Sequence, residues 1–472
     1  MEVTRPVGVT LIWRALKVVA WIAAGLVGLC VAIYLIIVAV NWRDREPSAA
    51  AVRMADLYRD RPAVPDEDNA FIYVLGFSVA PPESPYQMGL KRFAWLQEPN
   101  PTATAPTTPD PLGQPVDYKT HRPAAVRNFL TACMNGNPDC ANAFVSADGV
   151  FEQWMASEDW LLPRYRELIH YHGWRVSGPF KVLDPLPPYR LVIDGQRLLL
   201  LNAQVLAKRG DYAGVRDLLE EDSTFWRHVL ESSDTLISKM IATAAVTRDF
   251  ELGNLVLRNV PSAHVKEALP TAWSRPFSES ELSMLRCLVG EWMYISGPVH
   301  NADESLQALS PDSILPRTMK WLSKPLYQPQ DLMNRFAAYF LEVARLLSVP
   351  PDRFESAVNQ AETFAQRTNS ENFPPRSLYN MMGQILMGMD AANDYGRYAR
   401  RVEDLEGIRR AVLLAANLRA AGVKADDVSA ALKTNTLREP YHNTPFEWDE
   451  KGSDIVFHGL ELADRSVHRI LY

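Results

Sequence analysis

Residues Val18–Val40, VVAWIAAGLVGLCVAIYLIIVAV, contain no charged side chain. As a helix, a run of this length spans about 34 Å, enough to cross a hydrocarbon layer of about 30 Å. Helix is also the form in which such a segment satisfies its own backbone hydrogen bonds in lipid. Trp13 and Trp42 flank the run, where indole rings favour the headgroup region, and Trp21 and Tyr34 lie within it. A buried core helix of this length would carry a polar face. A cleaved signal peptide would have an apolar stretch of about 7–15 residues and a small-x-small site after it, whereas this run leads into Asn41-Trp42-Arg43. The segment therefore reads as an uncleaved signal-anchor in contact with the lipid bilayer, with residues 1–17 as a cytoplasmic tail and 18–40 as a transmembrane helix.

Charge alone leaves the orientation nearly balanced. Arg5, Arg14 and Lys17 precede the span; Arg43, Arg45 and Arg53 follow it, interleaved with Asp44, Glu46 and Asp56. Long downstream domains translocate largely regardless of charge, which favours the tail inside. Cysteine usage points the same way. Cys133 and Cys140 bracket Met-Asn-Gly-Asn-Pro-Asp, whose Asn-Gly and Asn-Pro steps are turn signals. Such a loop can bring two Cα atoms within the reach of about 6 Å that a disulfide needs. A structural disulfide Cys133–Cys140 is expected, and with it an oxidising compartment. The expected location is a bacterial inner membrane, single-pass, with the C-terminal domain in the periplasm.

The net charge is −7. Residues 1–45 carry +3, so the remainder carries −10. An acidic body argues against a nucleic-acid partner, whose phosphates demand a basic face.

Residues 41–68 read as a juxtamembrane stalk holding a short helix over Ala49–Arg59. Residues 69–185 form a first helical soluble region. It opens with NAFIYVLGF, a buried strand or a first helix, because periodicity does not separate the two at this length. It also holds a proline-rich surface loop over 98–116 and the cysteine loop. Residues 186–436 read as a helical domain. There Gly210 is a natural C-terminal stop and Asp211 a natural N-cap; this helix–turn–helix resembles one tetratricopeptide hairpin, although no fixed 34-residue period repeats it. Thr235–Val246 aligns Ile237, Met240, Ile241, Ala244 and Ala245 on one face. Ser278 and Glu281 form a capping box, with Phe277 and Leu282 as its staple, ahead of a helix carrying Leu285, Val289 and Trp292. Further helices follow over Gln330–Val349, from Asp352, and over Arg376–Met389 and Arg400–Ala421. Residues 437–472 form a C-terminal hairpin segment, with Phe446 and Trp448 on one strand and Ile455 and Phe457 on the other. The expected fold class is mostly α: a transmembrane helix, a multi-helix soluble domain and a small C-terminal β-hairpin.

The passages Leu437–Gly459 and Thr224–Thr243 resemble parts of uncharacterised bacterial single-pass membrane-anchored proteins with a helical soluble domain. That resemblance implies the architecture and no particular activity.

Chemistry-bearing motifs are sparse. No GxSxG elbow, HExxH or phosphate-binding loop occurs, and no GxGxxG follows a strand. His170 and His172 sit where a helix ends, a position the helix dipole favours for histidine. His442, His458 and His468 are near one another in sequence and stand near Glu447 and Asp449, but their spacing does not define a ligand set. Glu220-Glu221-Asp222 and Asp426-Asp427 read as solvated helix ends. Met381, Met382, Met387 and Met389 read as core filling rather than an adaptable surface. Cys30 belongs to the span, and Cys287 reads as a buried, inert thiol. No catalytic residue, metal site or cofactor is assigned. The expectation is a membrane-anchored periplasmic binding or scaffold protein presenting its helical domain to an envelope protein partner. The alternatives are an envelope hydrolase acting on cell-wall polymer and a subunit of a membrane assembly or sensor complex.

Overall fold

A computed structural model describes residues 7–98, 108–118, 120–134, 140–176, 184–301, 324–391, 395–461 and 466–472. Helix α1 (Val7–Val40) is continuous and begins within the expected tail. Its Leu16–Val40 stretch is the one helix among the described residues long and apolar enough to cross a membrane.

The body is built on two apolar cores. The first gathers α3 (Ala70–Leu75), α4 (Pro85–Leu96), α5 (Ala124–Met134), α6 (Cys140–Ala147), α7 (Phe151–Ser157), α8 (Leu161–Leu168), α9 (Tyr189–Lys208), α10 (Tyr212–Ser232) and α11 (Leu236–Arg258). The short helices α12 (Val265–Ala268), α13 (Thr271–Ser274) and α14 (Glu279–Leu282) continue it. The second core holds α2 (Ala49–Arg59), α15 (Leu285–His300), α16 (Pro329–Leu347), α17 (Pro351–Asn372) and α18 (Met381–Ala391). Helix α19 (Tyr395–Ala420) belongs to both: Tyr395, Ala399 and Val402 pack in the second core, and Leu405 through Leu418 in the first. Helix α20 (Ala425–Thr434) and a three-stranded antiparallel sheet, β1 (Glu447–Asp449), β2 (Asp454–His458) and β3 (Val467–Leu471), close the first core.

The mostly α expectation holds, and the Ala70–Leu75 part of NAFIYVLGF is helix. Asn69 caps α3 by accepting from the Phe71 N–H, and all six residues of the helix are buried. Gly210 adopts φ +76° and Asp211 accepts from Gly214 N, so the α9–α10 hairpin turns as its sequence indicates. The Phe151–Tyr171 region divides into α7 and α8. The capping box at Ser278 is present but opens only α14, because Ser283 turns to extended backbone (ψ 136°) before α15 begins. The hairpin Glu447–His458 forms, with Trp448 opposite Ile455; β3 adds a third strand that alternation alone did not indicate. Its partner face rests on α19: a Cβ on Gly407 would stand 2.0 Å from the Phe457 ring.

Residues 41–68 do not stand off as a stalk. Ala51 and Met54 are buried in the second core. Asp44 accepts from the backbone N–H groups of Gln330 (2.7 Å) and Asp331 (3.0 Å) at the start of α16, and Arg61 pairs with the buried Asp234 at 2.8 Å. Asp234 also holds Arg286 at 2.9 Å. Helix α15 approaches this junction so closely that a Cβ on Gly290 would stand 1.4 Å from the Asp234 carbonyl oxygen.

Candidate functional site

Helix α11 sets the floor of a cleft of about 830 Å³. Thr235 caps the helix by accepting from Ser238 N. Most of α11 is covered by α9, α10, α19 and β3. One stripe is left open: Ala244 and Glu251 are exposed, and Thr247 and Arg248 between them are half-buried. Their spacing of three and four residues puts all four on one side of the helix. The facing walls carry Arg401 and Asp404 from α19, His468 and Arg469 from β3, and the disulfide between α5 and α6.

Strand β3 is held over this floor by α11 and α19. Asn254 Nδ2 donates to the Leu471 carbonyl at 3.0 Å, and Arg258 Nε to the Tyr472 carbonyl at 2.9 Å. Arg419 donates to Asn254 Oδ1 at 2.9 Å and also to the Leu471 carbonyl. Burial pushes the Arg419 guanidinium down to about 9. This clamp fixes the register that presents His468 and Arg469 to the cleft.

Several cleft charges are neutralised in place. Arg401 Nε meets Glu461 at 2.7 Å, and Arg469 meets Asp449 at 2.6 Å and Asp454 at 3.2 Å. Arg197 meets the buried Asp194 at 2.8 Å. Arg248 is different. Its guanidinium donates to Gln196 Oε1, a neutral acceptor. Burial, reinforced by the neighbouring Arg197 cation, pushes it down to about 10. Glu251 lies one turn further along α11 at the open edge of the cleft, and desolvation by the neighbouring walls raises its carboxyl above the usual range against the opposing pull of His468 and Arg248. The cleft thus combines a cation held by a neutral group with a carboxyl whose charge is disfavoured.

A hydrogen-bonded relay runs from the cleft into the core. Gln196 Nε2 donates to Asp222 Oδ2 at 2.7 Å and to the Ala245 carbonyl at 2.9 Å. The Tyr165 hydroxyl donates to Asp222 Oδ1 and itself accepts from Trp226 Nε1 at 2.7 Å. Burial raises Asp222 to about 6. Asp249 lies close by, accepting from Ser223 Oγ and from Trp273 Nε1 at 2.8 Å; burial and the Asp222 charge hold it well above the carboxylate range. The expectation of a solvated Glu220-Glu221-Asp222 helix end is therefore corrected: Asp222 lies within α10 and is fully buried.

The sequence-derived histidines do not converge. His170 and His172 are exposed beyond the end of α8. His458 Nε2 lies 3.0 Å from Glu447 across the hairpin, and His442 lies 3.8 Å from Glu439. Only His468 enters the cleft. Its ring stacks on Phe457 at 5.6 Å, and its Nε2 stands 4.0 Å from Asp404 Oδ2. Asp404 is occupied by the Tyr441 hydroxyl at 2.5 Å and by the backbone N–H groups of Leu460 and Glu461. Among the described residues no group of three or more His, Cys, Asp or Glu side chains could hold a metal ion.

Cys133 and Cys140 are joined as a disulfide with Cα atoms 4.6 Å apart, at the cleft rim. Cys287 is buried and its thiol is pushed up to about 12 by that burial. The methionine patch divides: Met387 is in the core, whereas Met382 and Met389 are exposed. Met240 and Ala244, which the spacing places on one helix face with Ile237, Ile241 and Ala245, both line the cleft. The signal that the face changes character lay in Arg248 and Glu251, which continue the same stripe. No family model, curated protein or solved structure matches this chain.

Proposed function

We propose that this chain is a single-pass, membrane-anchored binding protein of the cell envelope, with α1 in a bacterial inner membrane and the helical body in the periplasm. The Cys133–Cys140 disulfide supports the oxidising side. The observation that carries the binding reading is the open stripe of α11, where Arg248 and Glu251 face the cleft with no ion pair to each other within 4.0 Å. A cation held by a neutral group beside a carboxyl whose charge is disfavoured suits a polar segment of a protein partner, which would supply a carboxylate to Arg248 and a donor to Glu251.

A photoreactive residue at Ala244, in native membranes, tests this reading. A defined protein adduct is expected, lost when Arg248→Glu reverses the floor charge. No adduct at Ala244, or one unchanged by Arg248→Glu, would overturn it.

An envelope hydrolase is the second reading, favoured by the raised Glu251 carboxyl within reach of the His468 field. Cell-wall polymer cleaved by the purified protein, with loss of turnover in Glu251→Gln, would establish it in place of the first.

A further inference from the structure

We propose that the α16–α18 face of the second core lies on the membrane, so that Leu378, Met382 and Met389 enter the boundary between phospholipid headgroups and acyl chains. This inference rests on the reading that α1 spans the bilayer, and concerns how the body sits on it.

Asn41 is the first residue after the apolar run and is buried. Its Nδ2 donates to the Leu378 carbonyl at 2.7 Å, its Oδ1 accepts from Asn380 N at 2.7 Å, and its carbonyl accepts from Gln328 Nε2 at 2.7 Å. Asn380, at φ +49°, in turn binds the Gln328 backbone and Asp331 Oδ2. The Tyr379 hydroxyl donates to the Arg43 carbonyl. Two distant parts of the chain, Leu378–Asn380 and Gln328, are therefore tied to the end of α1 by polar groups, without an intervening linker.

The geometric consequence follows from heights. The headgroup region on each side of a bilayer is about 5–7 Å thick. A backbone hydrogen-bonded to the first residue beyond the span stands no higher than this layer. Leu378 is 46 % exposed at that height, and Met382, in the first turn of α18, is 39 % exposed. Met389 lies seven residues further on the same helix face and is 65 % exposed, whereas Met387 on the other side is buried. The turn Lys324–Leu326 packs against α1 itself. Ile37 and Val38 are only half-exposed, while most of the span is bare. Part of the body thus reaches the level of the apolar helix. Exposed Trp42 beside Arg43 and Lys324 gives this rim the aromatic and basic character that headgroups attract. Adjacent apolar side chains at this position are covered by lipid rather than by water.

The test uses the full chain in phospholipid vesicles carrying either headgroup or deep acyl-chain nitroxide quenchers. An environment-sensitive fluorophore is placed on native Cys30, or, in a Cys30→Ser background, on Leu378→Cys, Met382→Cys or Val145→Cys. Val145 is exposed on α6 in the other core. The label on Cys30 should be quenched by the deep nitroxide, which reports on the span alone. Leu378→Cys and Met382→Cys should be quenched by the headgroup nitroxide several-fold more than Val145→Cys. Quenching of Cys30 with Leu378→Cys and Met382→Cys at the Val145 level would overturn the proposal while leaving the anchor intact. Absence of quenching at Cys30 would remove the anchor itself, and this inference with it. Protection from trypsin, equal to that of the unmodified chain, verifies that each variant is folded.

Discussion

Glu403→Gln should make the protein more stable as pH rises, and the size of the gain follows from where Glu403 lies. Its side chain is on α19 at 5 % exposure. Burial, and then the neighbouring Asp404 and Glu406 charges, raise its carboxyl from 4.5 to about 8, against the pull of Lys239. The folded chain therefore keeps a proton that the unfolded chain releases. Its contribution to stability is complete below pH 4.5 and is lost as pH climbs through 8. At about 1.4 kcal/mol per pH unit, the loss is about 3 kcal/mol at pH 7 and about 5 kcal/mol above pH 8. Glutamine has the shape of the protonated acid and no proton to lose. Urea unfolding of the full chain in mild detergent, from pH 5 to pH 9, should give curves for the two proteins that meet at the acid end. They should separate by several kcal/mol at the alkaline end, Glu403→Gln being the more stable. Other titrating groups, including Lys239, are common to both chains, so the difference between curves isolates this site. Parallel curves would mean that Glu403 is ionised in the fold and that the reasoning about its burial is wrong.

Arg227 places its donors on both oxygens of Glu281 and on the carbonyls of Ala272, Arg275 and Pro276. Arg227→Met leaves the buried Glu281 carboxylate with the more exposed Arg275 as its ion partner and should lower unfolding free energy by about 3 kcal/mol; a loss below about 1 kcal/mol by denaturant titration would contradict this. Gly290→Ala puts a methyl group into the Asp234 carbonyl and should cost about 1–3 kcal/mol or more, seen as a lower thermal midpoint. Cys133→Ser with Cys140→Ser opens a short loop and should cost about 2–3 kcal/mol, measured against the oxidised parent and matched by reducing it. Asn380→Gly keeps the left-handed backbone but removes the side-chain bonds around Gln328 and Asp331. It should cost about 1–3 kcal/mol and increase proteolysis between α1 and α2; an unchanged digest would show that the junction does not depend on that side chain.

Local chemistry made much of the fold legible. The apolar run, the Ser278 capping box, the Gly210–Asp211 turn and the Glu447–His458 hairpin each depend on residues close in sequence, so spacing carried them. What was missed depends on contacts that close only in the folded chain. Asn41 meets Leu378 and Asn380 across more than three hundred residues, and nothing in NWRDREPSAA distinguishes a packed junction from a free stalk. Asp222 resembles its acidic neighbours until Tyr165 and Gln196 converge on it. The cleft was half visible: Ala244, Arg248 and Glu251 fall on one helical stripe, but a solvated outer face has the same pattern. Only the walls supplied by α19 and β3 turn that stripe into the floor of a cavity.

Those walls also determine where the cleft sits relative to α1. Arg401 and Asp404 belong to the same helix as Tyr395, Ala399 and Val402, which are packed in the core that receives α1. A helix rises about 1.5 Å per residue, so the cleft-wall residues Arg401 and Asp404 lie within one turn of Val402 in the second core, on one rigid element. Leu282 and Leu460 touch both cores, which resists rotation of one against the other. Domains joined by linkers move independently unless their interface is large and apolar. Here the connection is a shared helix backed by shared apolar contacts, continued to Asn41 by the Asn380 and Gln328 bonds. If α1 spans a bilayer as proposed, a partner engaged in the cleft is held at a fixed height and orientation above it. Tilting α1, or breaking the Asn41 junction, would move the cleft as a body without altering its lining. Junction variants should accordingly change crosslinking from Ala244 to a membrane-bound partner while leaving binding to the same partner in detergent unchanged.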